Sequence, residues 1–264
     1  MPTADIDGRR IFYEDTGGDG PAVIFSHGLL MDHEMFAPQV EALRETYRCI
    51  TWDERGHGQT AADTLDPFSY YDSADDLAGL LAHLGVERAV LAGMSQGGFL
   101  SLRCALFHPE VVRALILIDT QAGAEDPIAL HGHMELTAQW AAHGLTPEIA
   151  DVVEHIILGE NWPGAATWRA KWAGTKPVNL AQCMQTLANR DDITDAIAAI
   201  RVPALVIHGD ADMAIPLERA QVLIDELPDA ELVVIEGAGH AANLTHPALV
   251  NAAIEIFLEQ LGPV

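Results

Sequence analysis

The sequence predicts an α/β protein, with a mostly parallel sheet covered by helices on both faces and one helical insertion. Two observations predict the sheet and a third the insertion. Short apolar runs alternate along the chain with stretches of helical spacing, the mark of strand–helix–strand units. The runs are apolar enough to be buried on both faces, which parallel strands in such a sheet require. The alternation stops at about 121, leaving helical patterns but no convincing strand, and resumes at about 201. The predicted organisation is therefore a core of 1–120 and 201–264 with an inserted cap of 121–200.

The elements follow in order. "RRIFYED" (9–15) reads as a strand and "TGGDGP" (16–21) as a turn. "AVIFSHG" (22–28) is a buried strand ending in glycine, and "MFAPQVEALRET" (35–46) has helical spacing. "YRCITWD" (47–53) is the next strand, and the loop "ERGHGQT" follows it. "YYDSADDLAGLLAHLG" (70–85) is a helix with acids in its first turn; Ser73 or Asp72 is the expected cap, and Gly85 ends it. "RAVLAGM" (88–94) is a strand, "QGGFLSLRCALFH" (96–108) a helix stopped by Pro109, and "VRALILID" (112–119) another strand. After the insertion come the strand "VPALVIHG" (202–209), the helix "PLERAQVLIDELP" (216–228), the strand "AELVVIEG" (230–237) and the final helix "PALVNAAIEIFLEQLG" (247–262).

Composition narrows the function. The 264 residues carry 14 basic and 39 acidic side chains, a net charge of −25. Nucleic acid and anionic membrane surfaces are excluded as expected partners, since both require a basic face. No apolar run approaches the roughly 18–20 residues of a membrane span. The start "MPTADIDGRR" has no apolar signal region, so the expected location is the cytoplasm. Three scattered cysteines, Cys49, Cys104 and Cys183, form neither a disulfide framework nor a zinc motif. His131 and His133 in "HGHM" lack acidic or cysteine companions, so no metal is expected there.

Chemistry is concentrated in "VLAGMSQGGFLSL" (90–102). Gly-x-Ser-x-Gly between a strand and a helix is the context of a nucleophile elbow, a turn so tight that glycine is needed at 93 and 97. Such a turn lifts the Ser95 hydroxyl above the strand ends and aims the N–H of Gln96 at the same space. The plainer alternative makes Ser95 a helix cap. A serine nucleophile needs a base, and the base an acid to orient it. "EGAGHAANLTHP" places His240 in a glycine-rich loop after the last strand, and "VIHGDADMAIP" places Asp210 and Asp212 after the preceding one. All of these loops leave the C-terminal edge of a parallel sheet, where ligands bind.

Five motifs in order now resemble one family, the α/β-hydrolase fold family: "SHGLLMD" (26–32) its oxyanion loop, "DERGHGQT" (53–60) its Asp-x-Arg-Gly-x-Gly-x-Ser element with Thr60 in place of serine, "GMSQGG" its nucleophile elbow, "HGDADMAIP" its acid loop and "GAGH" its histidine loop. The likeness spans nearly all the chain outside the insertion. It implies a triad of Ser95, Asp212 and His240, with Asp119 in "LILIDT" the second choice of acid and Asp210 a loop hydrogen-bonder. It also implies an oxyanion hole from the N–H groups of Leu29 and Gln96. His27 and His57 are then structural.

The implied reaction is hydrolysis of a carboxylic ester or lactone through an acyl-enzyme, with no metal or organic cofactor. Serine at 95 excludes relatives that open epoxides or displace halide through an aspartate, because a serine ether could not be released by water. A C–C bond hydrolase, a cofactor-free perhydrolase and a ligand-binding receptor on the same scaffold stay open. The insertion holds Trp140, Trp162, Trp168 and Trp172, and with Met134 and Met184 these are candidates for an apolar substrate wall or for the insertion's own core. The predicted substrate-binding set is Trp140, Trp162, Trp168 and Met184, and the predicted partner is a small or medium apolar molecule. A homodimer is left open.

Overall fold

The computed structural model describes residues 2–262. Eight strands form one sheet: β1 (Thr3–Ile6), β2 (Arg9–Asp15), β3 (Ala22–Ser26), β4 (Arg48–Trp52), β5 (Ala89–Met94), β6 (Val112–Ile118), β7 (Ala204–Gly209) and β8 (Ala230–Ile235), in the order β1-β2-β4-β3-β5-β6-β7-β8. The first two pairings, β1–β2 and β2–β4, are antiparallel; every later one is parallel. The sequence reading had no β1. The strand is four residues long and buries only Ala4 and Ile6. Its signal was the dipeptide Asp7-Gly8, which turns the hairpin with φ of 49° and 79°, as a two-residue primed turn requires.

Helices α1 (Ala37–Leu43), α2 (Tyr70–His83), α3 (Gln96–Phe107), α8 (Leu217–Glu226) and α10 (Pro247–Gln260) cover the sheet, with the short α9 (Ala242–Thr245) packed against α1 and α10. Alternation along each strand divides the core between the two faces. On β3, Val23 and Phe25 pack with Leu43 of α1 and Ile254 of α10, whereas Ile24 packs with Leu77 of α2 and Leu100 of α3. The expected cap of α2 is corrected. Ser69, not Ser73 or Asp72, caps it, and Asp72 returns the bond to the Ser69 N–H, completing a capping box. Ser73 lies inside the first turn and is buried.

Between β6 and β7 the chain forms α4 (Pro127–His143), α5 (Pro147–Leu158), α6 (Ala165–Ala173) and α7 (Pro177–Ala188), and no strand. Asp126 and Thr146 cap α4 and α5, proline opens α4, α5 and α7, and Gly144 and Gly159 follow the first two at positive φ. Among the described residues no helix is long and apolar enough to cross a membrane.

Candidate active site

The turn from β5 into α3 is built by steric necessity. A Cβ on Gly93 would lie 2.2 Å from the carbonyl oxygen of Gly97, and one on Gly97 would lie 1.9 Å from the carbonyl oxygen of Ser26. Both obstacles are backbone and cannot step aside. Gly98 is needed as well, since its Cβ would meet Thr120 Oγ1 at 2.4 Å. Ser95 pays for the tightness with φ 51° and ψ −115°, a conformation costly for a side chain with a Cβ. Its N–H is held by Ile118 O at 2.9 Å, and Thr120 Oγ1 donates to its carbonyl at 2.7 Å. The side chain makes no cap bond to α3, which removes the helix-cap reading.

The Ser95 hydroxyl instead meets His240, with Oγ 3.1 Å from Nε2. His240 Nδ1 lies 2.8 Å from Asp212 Oδ2. A carboxylate only accepts, so Nδ1 carries the proton and Nε2 faces the serine as an acceptor. Burial by itself would lower the His240 pKa, but the Asp212 charge and hydrogen bond outweigh it and the value is raised. Asp212 Oδ1 accepts from the N–H groups of Ala214 at 2.8 Å and Ile215 at 3.0 Å. Despite its burial, the histidine and these donors hold its carboxyl below the usual range.

Asp119 has other partners. Fully buried, it accepts from Gly209 N at 2.9 Å and Ala242 N at 3.0 Å, tying the ends of β6 and β7 to the His240 loop. Burial and the Asp212 charge push its pKa up to about 8. The two acids are thus driven apart, with the negative charge on the one that touches His240. Asp210 accepts from Gly237 N at 2.7 Å, bracing the loop. Donor atoms of Asp119, His208 and Asp212 lie within 4.8 Å of one another. The aspartate oxygens already accept from N–H groups, so this is a hydrogen-bond cluster.

The second loop is organised through His27. The N–H of Glu54 points at His27 Nε2 at 3.0 Å and must donate, so the proton sits on Nδ1 and is given to Gly28 O at 2.8 Å. Burial lowers the His27 pKa, consistent with this neutral ring. Fixing the Gly28 carbonyl fixes the same peptide's N–H, that of Leu29, in the opposite direction. Gln96, as the first residue of α3, contributes an N–H with no intrahelical partner. The Gln96 amide donates to Glu54 Oε2 at 2.5 Å, so Glu54 touches both halves of this arrangement. His57 packs at a tilt against His27, ring centres 4.9 Å apart, and donates through Nδ1 to Arg55 O at 3.0 Å.

Ser95 and His240 stand in a mainly apolar cavity of about 100 Å³. Leu29, Met94 and Phe99 line it from the core, and Leu136, Trp140, Ile157 and Met184 from the insertion. Of the four predicted wall residues, Trp140 and Met184 are placed on the cavity and Trp162 and Trp168 are not. Trp162 packs in the turn before α6, where a Cβ on Gly164 would strike its ring at 2.2 Å. Trp168 is buried on α6 beneath the Lys171 ammonium, 4.7 Å away. Met134 is exposed. Sequence reasoning missed Glu125 and Thr137 as lining residues, and it gave His133 no role beyond a rejected metal site. The signal was the spacing of His133, Thr137 and Trp140, which share one face of α4.

The chain matches the alpha/beta hydrolase fold over residues 21–247. It is similar to a Caulobacter protein provisionally named carbamate hydrolase RutD, at 29% identity over 98% of each chain. Among solved structures it resembles an esterase from Thermogutta terrifontis, with TM-score 0.87 and 29% identity over 96% of this chain and 94% of that one. It also resembles the enol-lactonase from Burkholderia xenovorans, with TM-score 0.89 and 26% identity over 98% of this chain and all of the other.

Proposed function

Because the chain belongs to the alpha/beta hydrolase fold family, we propose that it hydrolyses a carboxylic ester or lactone of a small to medium apolar substrate through an acyl-enzyme on Ser95. The observation that carries the reading is the relay Ser95 Oγ–His240 Nε2–His240 Nδ1–Asp212 Oδ2, at 3.1 and 2.8 Å, opening on an apolar cavity. Two of the relatives, the Thermogutta esterase and the Burkholderia enol-lactonase, support the same bond class.

In this mechanism His240 takes the Ser95 proton as the hydroxyl attacks the carbonyl carbon. The developing oxyanion is received by the N–H groups of Leu29 and Gln96, each contributing about 3 kcal/mol. His240 then gives its proton to the leaving oxygen, and a water activated by the same imidazole releases the acid. Asp212 keeps the imidazole in the required tautomer and balances its transient charge.

The test is turnover of p-nitrophenyl esters, acetate through decanoate, by the wild type and Ser95→Ala in parallel. The expected outcome is turnover by the wild type with a chain-length optimum, and a loss on the order of 10⁴ or more in Ser95→Ala. Equal rates in both proteins would refute the role of Ser95.

A further inference from the structure

One charged group of the cavity wall makes no hydrogen bond to the Ser95–His240–Asp212 relay, although its charge adds to those that raise the His240 pKa. Glu125 lines the cavity from the segment leading into α4, and its side chain is only 8% exposed. Its partner is Arg190, whose Nη1 lies 2.9 Å from Oε2. The Arg190 guanidinium is spent in other directions too. Nε and Nη2 both donate to Gly123 O, at 3.1 and 2.9 Å, and its Cζ lies over the Phe99 ring, 4.1 Å from the ring centre. Phe99 lines the cavity and Arg190 does not, so the cation stays behind the wall and the carboxylate reaches it. Among the described residues the lining holds no arginine or lysine; its other titratable groups are His133 and His240.

Above the His240 pKa, a second carboxylate entering this mainly apolar cavity would meet no arginine or lysine in its lining and would face the negative end of the Glu125–Arg190 pair. Like charges brought together in an apolar site repel strongly. A neutral acyl chain meets none of these costs and gains the apolar wall. Resting on the ester or lactone reading above, we infer that the site is selective for uncharged acyl groups and rejects substrates bearing a carboxylate, and that Glu125 is the residue that determines it.

The test compares two esters of matched length, ethyl hexanoate and monoethyl adipate, which differ by a terminal carboxylate. Binding is measured calorimetrically to Ser95→Ala, which retains the cavity without turnover, and kcat/KM is measured on the wild type. The expected binding preference for the hexanoate is about 100-fold, from the like-charge cost. In Ser95→Ala/Glu125→Gln the preference shrinks at least about tenfold, because the like charge facing the adipate carboxylate is gone. Should Glu125→Gln fail to fold around its unpaired arginine, Glu125→Gln/Arg190→Met removes the pair together, and the preference again shrinks. Equal binding of the two esters, binding of neither, or a preference that both variants leave unmoved overturns the inference. A wild type that cleaves neither ester while Ser95→Ala keeps the preference refutes the ester reading and leaves the selectivity supported.

Discussion

Two buried aspartates lie near His240, and substituting each by asparagine separates their roles. In Asp212→Asn the oxygen stays where Ala214 N and Ile215 N hold it, so the new amide group faces His240. An amide N–H there forces Nδ1 to accept, moving the imidazole proton to Nε2, where it can no longer take one from Ser95. The expected loss in kcat is about 10⁴, the size that the wrong tautomer brings to such a triad. Both backbone donors keep their acceptor, so Tm should move little. Asp119→Asn does the opposite. Its two oxygens accept from Gly209 N and Ala242 N, and asparagine can satisfy only one. The other N–H is left buried against an amide donor, costing about 2–3 kcal/mol. For a chain of this size that lowers Tm by about 5–10 °C. Asparagine tolerates the left-handed backbone at 119, φ 47°, so no strain is added. The catalytic loss should stay within about tenfold, since the His240–Asp212 bond is intact. Thermal melts and kcat on one p-nitrophenyl ester decide it. A collapse of kcat in Asp119→Asn at unchanged Tm, with Asp212→Asn active, would refute the assignment of the acid.

Further expectations concern pH and the wall. In the proposed mechanism activity needs neutral His240, whose pKa Asp212 raises above 6.5, so kcat/KM should climb with pH through a value above 6.5; in Asp212→Asn the residual activity should reach its plateau at lower pH. Burial, with Asp76 adding to it, pushes Glu54 up to about 8, above its ordinary 4.5. The folded protein therefore holds a proton that the unfolded chain releases, and stability is lost as pH rises from 4.5 through 8; Glu54→Gln, which mimics the protonated acid, should flatten the fall of Tm between pH 5 and pH 8.5. Trp140→Ala should raise KM, because the ring lines the cavity, whereas Trp168→Ala should lower Tm and leave KM within about twofold.

The parts of the site legible in the sequence were those with a local physical cause. Glycine at 93 and 97 has no explanation except close approach of backbone, and the distances to Gly97 O and Ser26 O bear that reading out. His240 and Asp212 could be placed near Ser95 because loops after parallel strands converge on one edge. The choice between Asp212 and Asp119 could not be made that way, because both follow strands that end at that edge. It turned on which oxygens the backbone N–H groups of residues 209, 214, 215 and 242 had already claimed. Glu54 was passed over for a related reason. Nothing in "DERGHGQT" separates a buried glutamate touching Gln96 and His27 from an exposed loop acid.

The insertion's tryptophans illustrate the limit most clearly. Residue type marked all four as large apolar groups, but their work depends on which side of each helix faces the core. On α4, Trp140 turns to the cavity. On α6, Trp172 is fully buried and its indole N–H donates to Leu30 O at 2.9 Å, while Lys171 beside it pairs with Asp32 and Glu34 at 2.6 and 2.9 Å. Leu30 has a positive φ of 67° and follows the Leu29 N–H directly. The strained turn carrying that proposed oxyanion donor is therefore held from below by His27 and from above by α6. Trp172→Phe cuts the upper hold, removing one hydrogen bond of about 1 kcal/mol and leaving a small cavity in the packing that a lower Tm reads separately. If α6 merely covers the site, kcat will be unchanged. If it sets the direction of the Leu29 N–H, kcat will fall several-fold with KM unmoved, the signature of a contact made in the transition state.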